Sequence, residues 1–234
     1  MILYVNGDSH TAGAEIVTPY AFAEDDQKYT YMGRRPHPEN IIASWGKTLA
    51  DAIKAGFWYD AESASSNARI IRTTEKYLTE HASNLYETLM IIQWSTWERE
   101  EWLYNGVYYQ VNASGIDDVP PELQQRYKEF VATVDWRKKT EEAHNDVWQL
   151  HCRLDDLNVK HVFFNGNSDF SKISDQRSWG VSYMDPYKPK STFSDIIKQR
   201  GFDTVAPNSY HFGKPAHSFW SNYVLQYVIS NHLI

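Results

Sequence analysis

Gly7-Asp8-Ser9-His10 follows directly on a short apolar run, Ile2 to Asn6, and His211 stands near the other end of the 234-residue chain. A serine hydroxyl becomes a nucleophile only when a base takes its proton, so Ser9 needs an imidazole within hydrogen-bond reach. A serine at a strand-to-loop turn can also aim its own N–H at a developing oxyanion. Gly7 permits the tight turn this demands. Ser9 as nucleophile with His211 as base is therefore a pairing for acyl transfer. Gly, Asp and Ser are also turn formers, so the same tripeptide reads as a plain turn. Its place at the end of the first strand raises it above that reading.

Position must come from the elements around these residues. Ile2 to Asn6 reads as a first strand. Trp45, Leu49, Ala52 and Ile53 keep helical spacing, with Gly56 closing that helix, and Phe57 to Ala61 reads as a second strand. Ser65-Ser66-Asn67 offers a helix N-cap, and Ile70, Ile71, Thr74, Tyr77 and Leu78 line one helical face. Leu89 to Ile92 is a continuous apolar run, as in a strand buried on both faces. Pro120 and Pro121 introduce a helix to about residue 133. Ala143, Val147, Leu150, Leu154 and Leu157 form the clearest amphipathic helix. Val159 to Phe164 is a fourth strand, a short helix covers about 192–200, and a last helix runs from about Lys214.

Strands and helices alternate, which implies an α/β fold with a parallel sheet and helices on both faces. Residues 1–234 form one domain, with loop insertions at about 14–40, 102–120 and 165–191. Asn105-Gly106 supplies a turn within the second of these. In such a sheet the site lies beyond the carboxyl ends of the strands. Gly7 to His10, Ser63 to Asn67, Gln93 to Arg99, Asn165 to Ser168 and His211 should converge there.

Val5-Asn6-Gly7-Asp8-Ser9 resembles the first block of SGNH/GDSL hydrolases, in which an N-terminal strand delivers the nucleophilic serine. The C-terminal block of that family carries Asp-x-x-His before a helix. Here Asn208-Ser209-Tyr210-His211 is followed by Ala216-His217-Ser218-Phe219-Trp220, and the His211–His217 spacing is similar to the family's. Ser65 to Arg72 and Ile92 to Trp97 resemble a branch found among tailed-phage proteins. The resemblance implies a three-layer αβα sandwich with a flavodoxin-like, mostly parallel sheet. It also implies hydrolysis of a carboxylic ester, with no cofactor and no metal, on a small-molecule or carbohydrate substrate.

The match departs from the family at three places. The acid position is Asn208, whose carbonyl can accept from the ring N–H without supplying charge; a Ser-His dyad, or Asp203 or another carboxylate reaching the ring, are the alternatives. Ala64 or Ser65 stands where a glycine N–H is usual, and Ser95 or Thr96 where an asparagine amide is usual. With the Ser9 N–H these form the expected oxyanion hole. His10, Trp94 and Asn67 are assigned to substrate binding. His10 adjoins Ser9, and because strand neighbours face opposite ways it is placed at the rim rather than as base.

Other features are weighed against blander readings. His217 is expected to pack inside the last helix. His144, His151 and His161 lack ligand spacing with a carboxylate cluster. Glu98-Arg99-Glu100-Glu101 is a solvated face or a substrate clamp, and Arg69 and Arg72 are structural ion pairs or anion binders. Cys152, the single cysteine, sits in an apolar-periodic segment as an inert thiol. Gly-x-Ser-x-Gly and the Walker and dinucleotide glycine loops are absent.

A net charge of −7 without a Lys/Arg stripe argues against a nucleic-acid partner and against anionic lipid. No stretch suits a signal peptide or a membrane span, so a cytoplasmic protein is expected, virion-associated if phage-encoded. Oligomeric state is not legible. Aromatic residues make up 15% of the chain, which means either a core of large side chains or a surface that stacks on sugar rings. Besides the esterase, a non-catalytic phage-type binding or structural protein fits the substitutions. A nucleotide-binding domain using Gly7 to Gly13 as an anion loop is the third reading.

Overall fold

A computed structural model describes residues 1–23 and 35–234. The apolar runs form four parallel strands: β1 (Ile2–Asn6), β2 (Gly56–Tyr59), β3 (Thr88–Trp94) and β6 (Lys160–Asn165), in the order β2-β1-β3-β6. The first strand of the chain is thus central. Tyr4 aligns with Trp58 on one side and with Met90 on the other, and Ile91 aligns with Val162. The chain passes from β1 to one side and then crosses to the other, which makes the β1/β3 border the switch point where a crevice opens.

Alternation along the strands divides the core. Tyr4, Met90, Ile92 and Phe163 pack on one face against α4 (Asn67–Glu80) and α6 (Trp136–Asp156), through Ile70, Tyr77, Val147 and Leu154. Leu3, Val5, Ile91 and Phe164 pack on the other against α3 (Trp45–Ala52), α7 (Phe193–Gln199) and α8 (Lys214–Ser230), through Trp45, Leu49, Phe193 and Trp220. The result is a three-layer α/β arrangement. Trp45, Trp94 and Trp220 are fully buried, so much of the aromatic content fills the core.

Several boundaries differ from expectation. Helix α3 ends at Ala52 because Lys54 adopts a left-handed φ of 54°, and Gly56 opens β2 instead of closing the helix. The insertion at about 102–120 belongs to a larger excursion. It contains an antiparallel hairpin, β4 (Glu100–Tyr104) and β5 (Val107–Val111), and then α5 (Pro121–Thr133). Asn105 and Gly106 both have positive φ, as a two-residue type I′ turn requires. Trp102, Val111, Leu123 and Tyr127 give this excursion its own small core.

The 165–191 segment is irregular but anchored by the buried Phe170, Trp179 and Tyr183. Its Ser182 carbonyl and Met184 N–H flank Phe163 on the outer edge of β6, at 2.8 and 2.9 Å. The expected loop at about 14–40 ends in the first turn of α2 (Pro38–Ala43), and its residues 24–34 lie outside the described residues. Among the described residues no helix is long and apolar enough to cross a membrane.

Candidate active site

Strand β1 delivers Gly7-Asp8-Ser9 to the carboxyl edge, and local bonds fix the turn. Asn6 Oδ1 accepts from Gly7 N at 2.8 Å, while Asn6 Nδ2 reaches Ile70 O and Thr73 Oγ1 of α4 at 3.0 and 2.8 Å. A Cβ on Gly7 would lie 2.7 Å from Thr11 Oγ1 and 2.9 Å from Gln93 Cβ, so glycine is required by close packing. Asp8 caps the single helical turn α1 (Ser9–Ala12) by accepting from His10 N at 3.0 Å.

The Asp8 carboxylate is fully buried and saturated with donors. It accepts from Gln93 Nε2 at 2.6 Å, Arg99 Nη1 at 2.9 Å and Ser95 Oγ at 3.1 Å. Burial pushes its carboxyl up, but the Arg99 guanidinium and these donors outweigh that and hold it below the usual carboxylate range. Asp8 therefore sets the shape of the turn. Ser9 opens the helix behind it, largely buried, with a hydroxyl that makes no hydrogen bond among the described residues.

His211 reaches the same place from the other end of the chain. A one-rung bridge, Val205 N to His211 O at 2.9 Å, holds its backbone. Its Nδ1 lies 2.9 Å from Glu15 Oε2. Ser209 Oγ donates to that same carboxylate oxygen and accepts from His211 N at 2.9 Å. Burial raises the Glu15 carboxyl, yet the bonds from Ser209 and His211 bring it below its ordinary value. His211 Nε2 is unbonded among the described residues.

The group that holds His211 Nδ1 is thus the Glu15 carboxylate, six residues after Ser9, and not the Asn208 amide. Asn208 and Asp203 are both exposed and neither bonds the ring. Glu15 reaches it because Gly13 ends α1 in a left-handed conformation and Glu15 itself has φ 64°, which folds the chain back beneath the His211 loop.

Ser9, His10, Ala64, Arg99, Asn167 and His211 line one cleft of about 590 Å³. That is a volume suited to a small organic ligand. His10 is a floor residue and not a rim residue: Ser9 and His10 lie in a helical turn, so the strand rule does not separate them. Its ring centroid is 5.6 Å from that of His211, and its Nε2 accepts from Asn167 Nδ2 at 3.0 Å. Burial drives its pKa down to about 4 against the pull of Asp8, so the ring is neutral at pH 7. His10 Nδ1 and Ser63 Oγ are buried with no hydrogen-bond partner among the described residues.

The expected oxyanion donors separate. Ala64 lines the cleft with a left-handed φ of 69°, and its N–H has no partner among the described residues. Ser65 turns away: its N–H and Oγ both donate to Glu62 O, at 3.2 and 2.8 Å. Ser95 Oγ is committed to Asp8, and the Thr96 hydroxyl donates to Glu98 Oε1 at 2.7 Å, although Thr96 lines the cleft. Asn167, on the loop after β6, brings its amide to the cleft, where Ser194 Oγ donates to its Oδ1.

Two substrate-binding expectations are corrected. Trp94 is core, edge-on to Phe163 at 5.1 Å. Asn67 clamps the start of α4 to Ser95, accepting from its N–H at 2.8 Å and donating to its carbonyl at 3.2 Å. The Glu98–Glu101 stretch is not a plain solvated face, because Arg99 serves Asp8 and Glu101 pairs with Arg72 at 2.6 Å. Arg69 pairs with the buried Glu62 at 2.5 Å. His217 is buried and accepts from Trp45 N at 3.2 Å, tying α8 to the start of α3. The Gly7–Gly13 loop is no anion cradle, since the His10 and Ala12 amides already serve Asp8 and Ala14 N serves Ser9 O.

Gln93, expected at this edge only as part of the Gln93–Arg99 segment, has a specific role there. Besides donating to Asp8 it accepts from Thr11 Oγ1 at 2.6 Å, and Gly166 leaves it room: a Cβ there would lie 2.2 Å from Gln93 Nε2.

A search among curated proteins finds no match. Residues 24–155, spanning α2 to nearly the end of α6 and leaving out Ser9, Glu15 and His211, match the model of a family of unknown function (DUF6071). That is more than half of the chain, and the protein belongs to this family.

Proposed function

We propose that the protein is a serine acyl hydrolase of the SGNH/GDSL kind, acting on a carboxylic ester through an acyl-enzyme. The strongest support is that Ser9 and His211 line the same cleft, with His211 Nδ1 held by Glu15 and Nε2 unbonded among the described residues. In this reading Nε2 takes the Ser9 proton as Oγ attacks the carbonyl. Glu15 fixes the tautomer and stabilises the imidazolium that forms. The oxyanion develops toward the Ser9 and Ala64 N–H groups, with Asn167 Nδ2 as a third donor. The ring then protonates the leaving alcohol and activates water for deacylation.

The lining also carries Ser63, Asn112, Ser114, Ser194 and Thr204. These hydroxyls and amides, beside the exposed Tyr210 ring at the cleft, favour a polyhydroxylated substrate such as an O-acylated carbohydrate.

One observation favours a second reading, a phage-type binding or structural protein without turnover: Ser9 Oγ and His211 are not hydrogen-bonded to each other. The test uses the full chain with a fluorophosphonate probe and p-nitrophenyl acetate, beside Ser9→Ala and His211→Ala. Labelling and turnover confined to the native protein are expected. An unlabelled native protein, or equal rates in all three, selects the binding protein.

A further inference from the structure

The opposite edge of the sheet holds a second histidine cluster. His151 and Asp155 lie one turn apart on α6, and His161 is the second residue of β6. The tight connection between them, with Asn158 at φ 54°, brings the three together. His151 Nδ1 and His161 Nε2 are 2.8 Å apart, and His151 Nε2 is 3.4 Å from Asp155 Oδ2. One ligand atom from each residue lies within 4.8 Å of the others.

The proton positions follow from the partners. His161 Nδ1 is 2.8 Å from Val159 O. A carbonyl only accepts, so this nitrogen carries the proton and His161 Nε2 keeps its lone pair. Metal-binding histidines are commonly oriented in this way, with the second ring N–H donated to a backbone carbonyl. Two ring nitrogens 2.8 Å apart share one proton, and a cation can take its place. At Zn–N distances of about 2.0–2.1 Å the two nitrogens need to separate only by roughly half an ångström. The Asp155 side chain is 58% exposed, free to swing, and open to entry from solvent.

We propose that His151 Nδ1, His161 Nε2 and the Asp155 carboxylate form a binding site for a divalent transition metal, with water completing the shell. Two imidazoles and one carboxylate select zinc-like ions over magnesium or calcium, which prefer all-oxygen shells. The ion would pin the end of α6 to β6, remote from Ser9, and its role is structural. The proton displaced from His151 Nδ1 is taken up at Nε2 of the same ring, so both imidazoles bind as neutral ligands.

The experiment is calorimetric titration of the EDTA-treated full chain with zinc chloride, followed by X-ray absorption of the loaded protein. One ion per chain is expected, with two imidazole nitrogens in its first shell. Asp155→Asn, on an exposed side chain, should weaken binding about tenfold, and His151→Gln with His161→Gln should abolish it. Absence of stoichiometric binding, a shell without imidazole, or unchanged affinity in Asp155→Asn overturns the site. Fluorophosphonate labelling of Ser9 is independent of all these outcomes, so this site and the hydrolase reading fail separately.

Discussion

Two imidazole–carboxylate pairs occupy opposite edges of one sheet, and they differ in what the imidazole has left to offer. His211, in the cleft lining, has Nδ1 on Glu15 and Nε2 unbonded among the described residues. His151 has Nδ1 engaged by His161, and its Nε2 lies 3.4 Å from the Asp155 carboxylate. A general base needs one nitrogen fixed and the other vacant. A ring whose one proton is shared with a second histidine, and whose other nitrogen faces a carboxylate, can hold structure or trade that proton for a metal, but it does not face the cleft where a substrate proton would be taken. The carboxylates differ too. Glu15 is held by Ser209 as well as His211, whereas the more exposed Asp155 has the His151 ring alone among its bonds in the cluster.

The largest break in this comparison comes from Ser9→Ala. Esterase kcat/KM should fall at least about 10⁴-fold and the fluorophosphonate label should vanish, because the hydroxyl is the only group in the mechanism that bonds the acyl carbon. Retained labelling in Ser9→Ala would move the nucleophile elsewhere.

Glu15→Gln comes next. Loss of the Glu15 charge beside His211 Nδ1 should reduce kcat/KM by roughly 10²–10⁴-fold, since a neutral amide does not stabilise the imidazolium and can bond either ring tautomer. Asn208→Ala and Asp155→Asn should leave the rate unchanged, the first because its side chain is exposed and unbonded to the ring, the second because it serves the other edge. An Asn208→Ala loss as large as that of Glu15→Gln would restore the local acid position.

Arg99→Met tests the scaffold rather than the chemistry. It leaves the Asp8 carboxylate buried without its cation, and breaking a buried pair costs about 3–5 kcal/mol. Because Gln93, Ser95 and the His10 N–H still donate to Asp8, the loss in urea unfolding should fall near the lower end, at about 3 kcal/mol. Melts indistinguishable from native would show that Asp8 does not depend on Arg99.

Much of the frame was legible because short-range pattern dictates it. The Ile2–Asn6 run, the spacing from Ala143 to Leu154 and the Pro120-Pro121 start each reappear as elements near the expected places. The parts of the site that were not legible depend on contacts across the chain. Glu15 and His211 are 196 positions apart and meet only through the left-handed backbone at Gly13 and Glu15. Asn208 looked better placed in sequence, yet its turn points it to solvent. Trp94 and Ser95 stand at the expected strand end, but the alternation of β3 sends one into the core and Asp8 captures the other. The metal cluster was hidden because its histidines straddle a helix-to-strand turn, so only the His151–Asp155 spacing is written in the sequence.

Acid should act on both edges together. His10 at the cleft and His161 in the cluster are each held down to about 4 by burial. An unfolded histidine titrates near 6.5, so between about pH 6.5 and 4 the unfolded chain binds protons that the folded chain refuses. A depressed histidine pKa therefore contributes stability that is complete above pH 6.5 and declines as pH falls toward 4. At about 1.4 kcal/mol per pKa unit each ring accounts for roughly 3 kcal/mol across that window. Urea midpoints measured from pH 7.5 to 4.5 should fall steadily, and His161→Gln should flatten part of the slope while leaving the His10 share in place. His144 and His217, also held down by burial, to about 4 and about 3, add to the same slope, so a midpoint that holds level through this range would mean that these buried rings accept protons in the folded protein. His10 Nδ1 and the shared His151–His161 proton would then need partners other than those seen here.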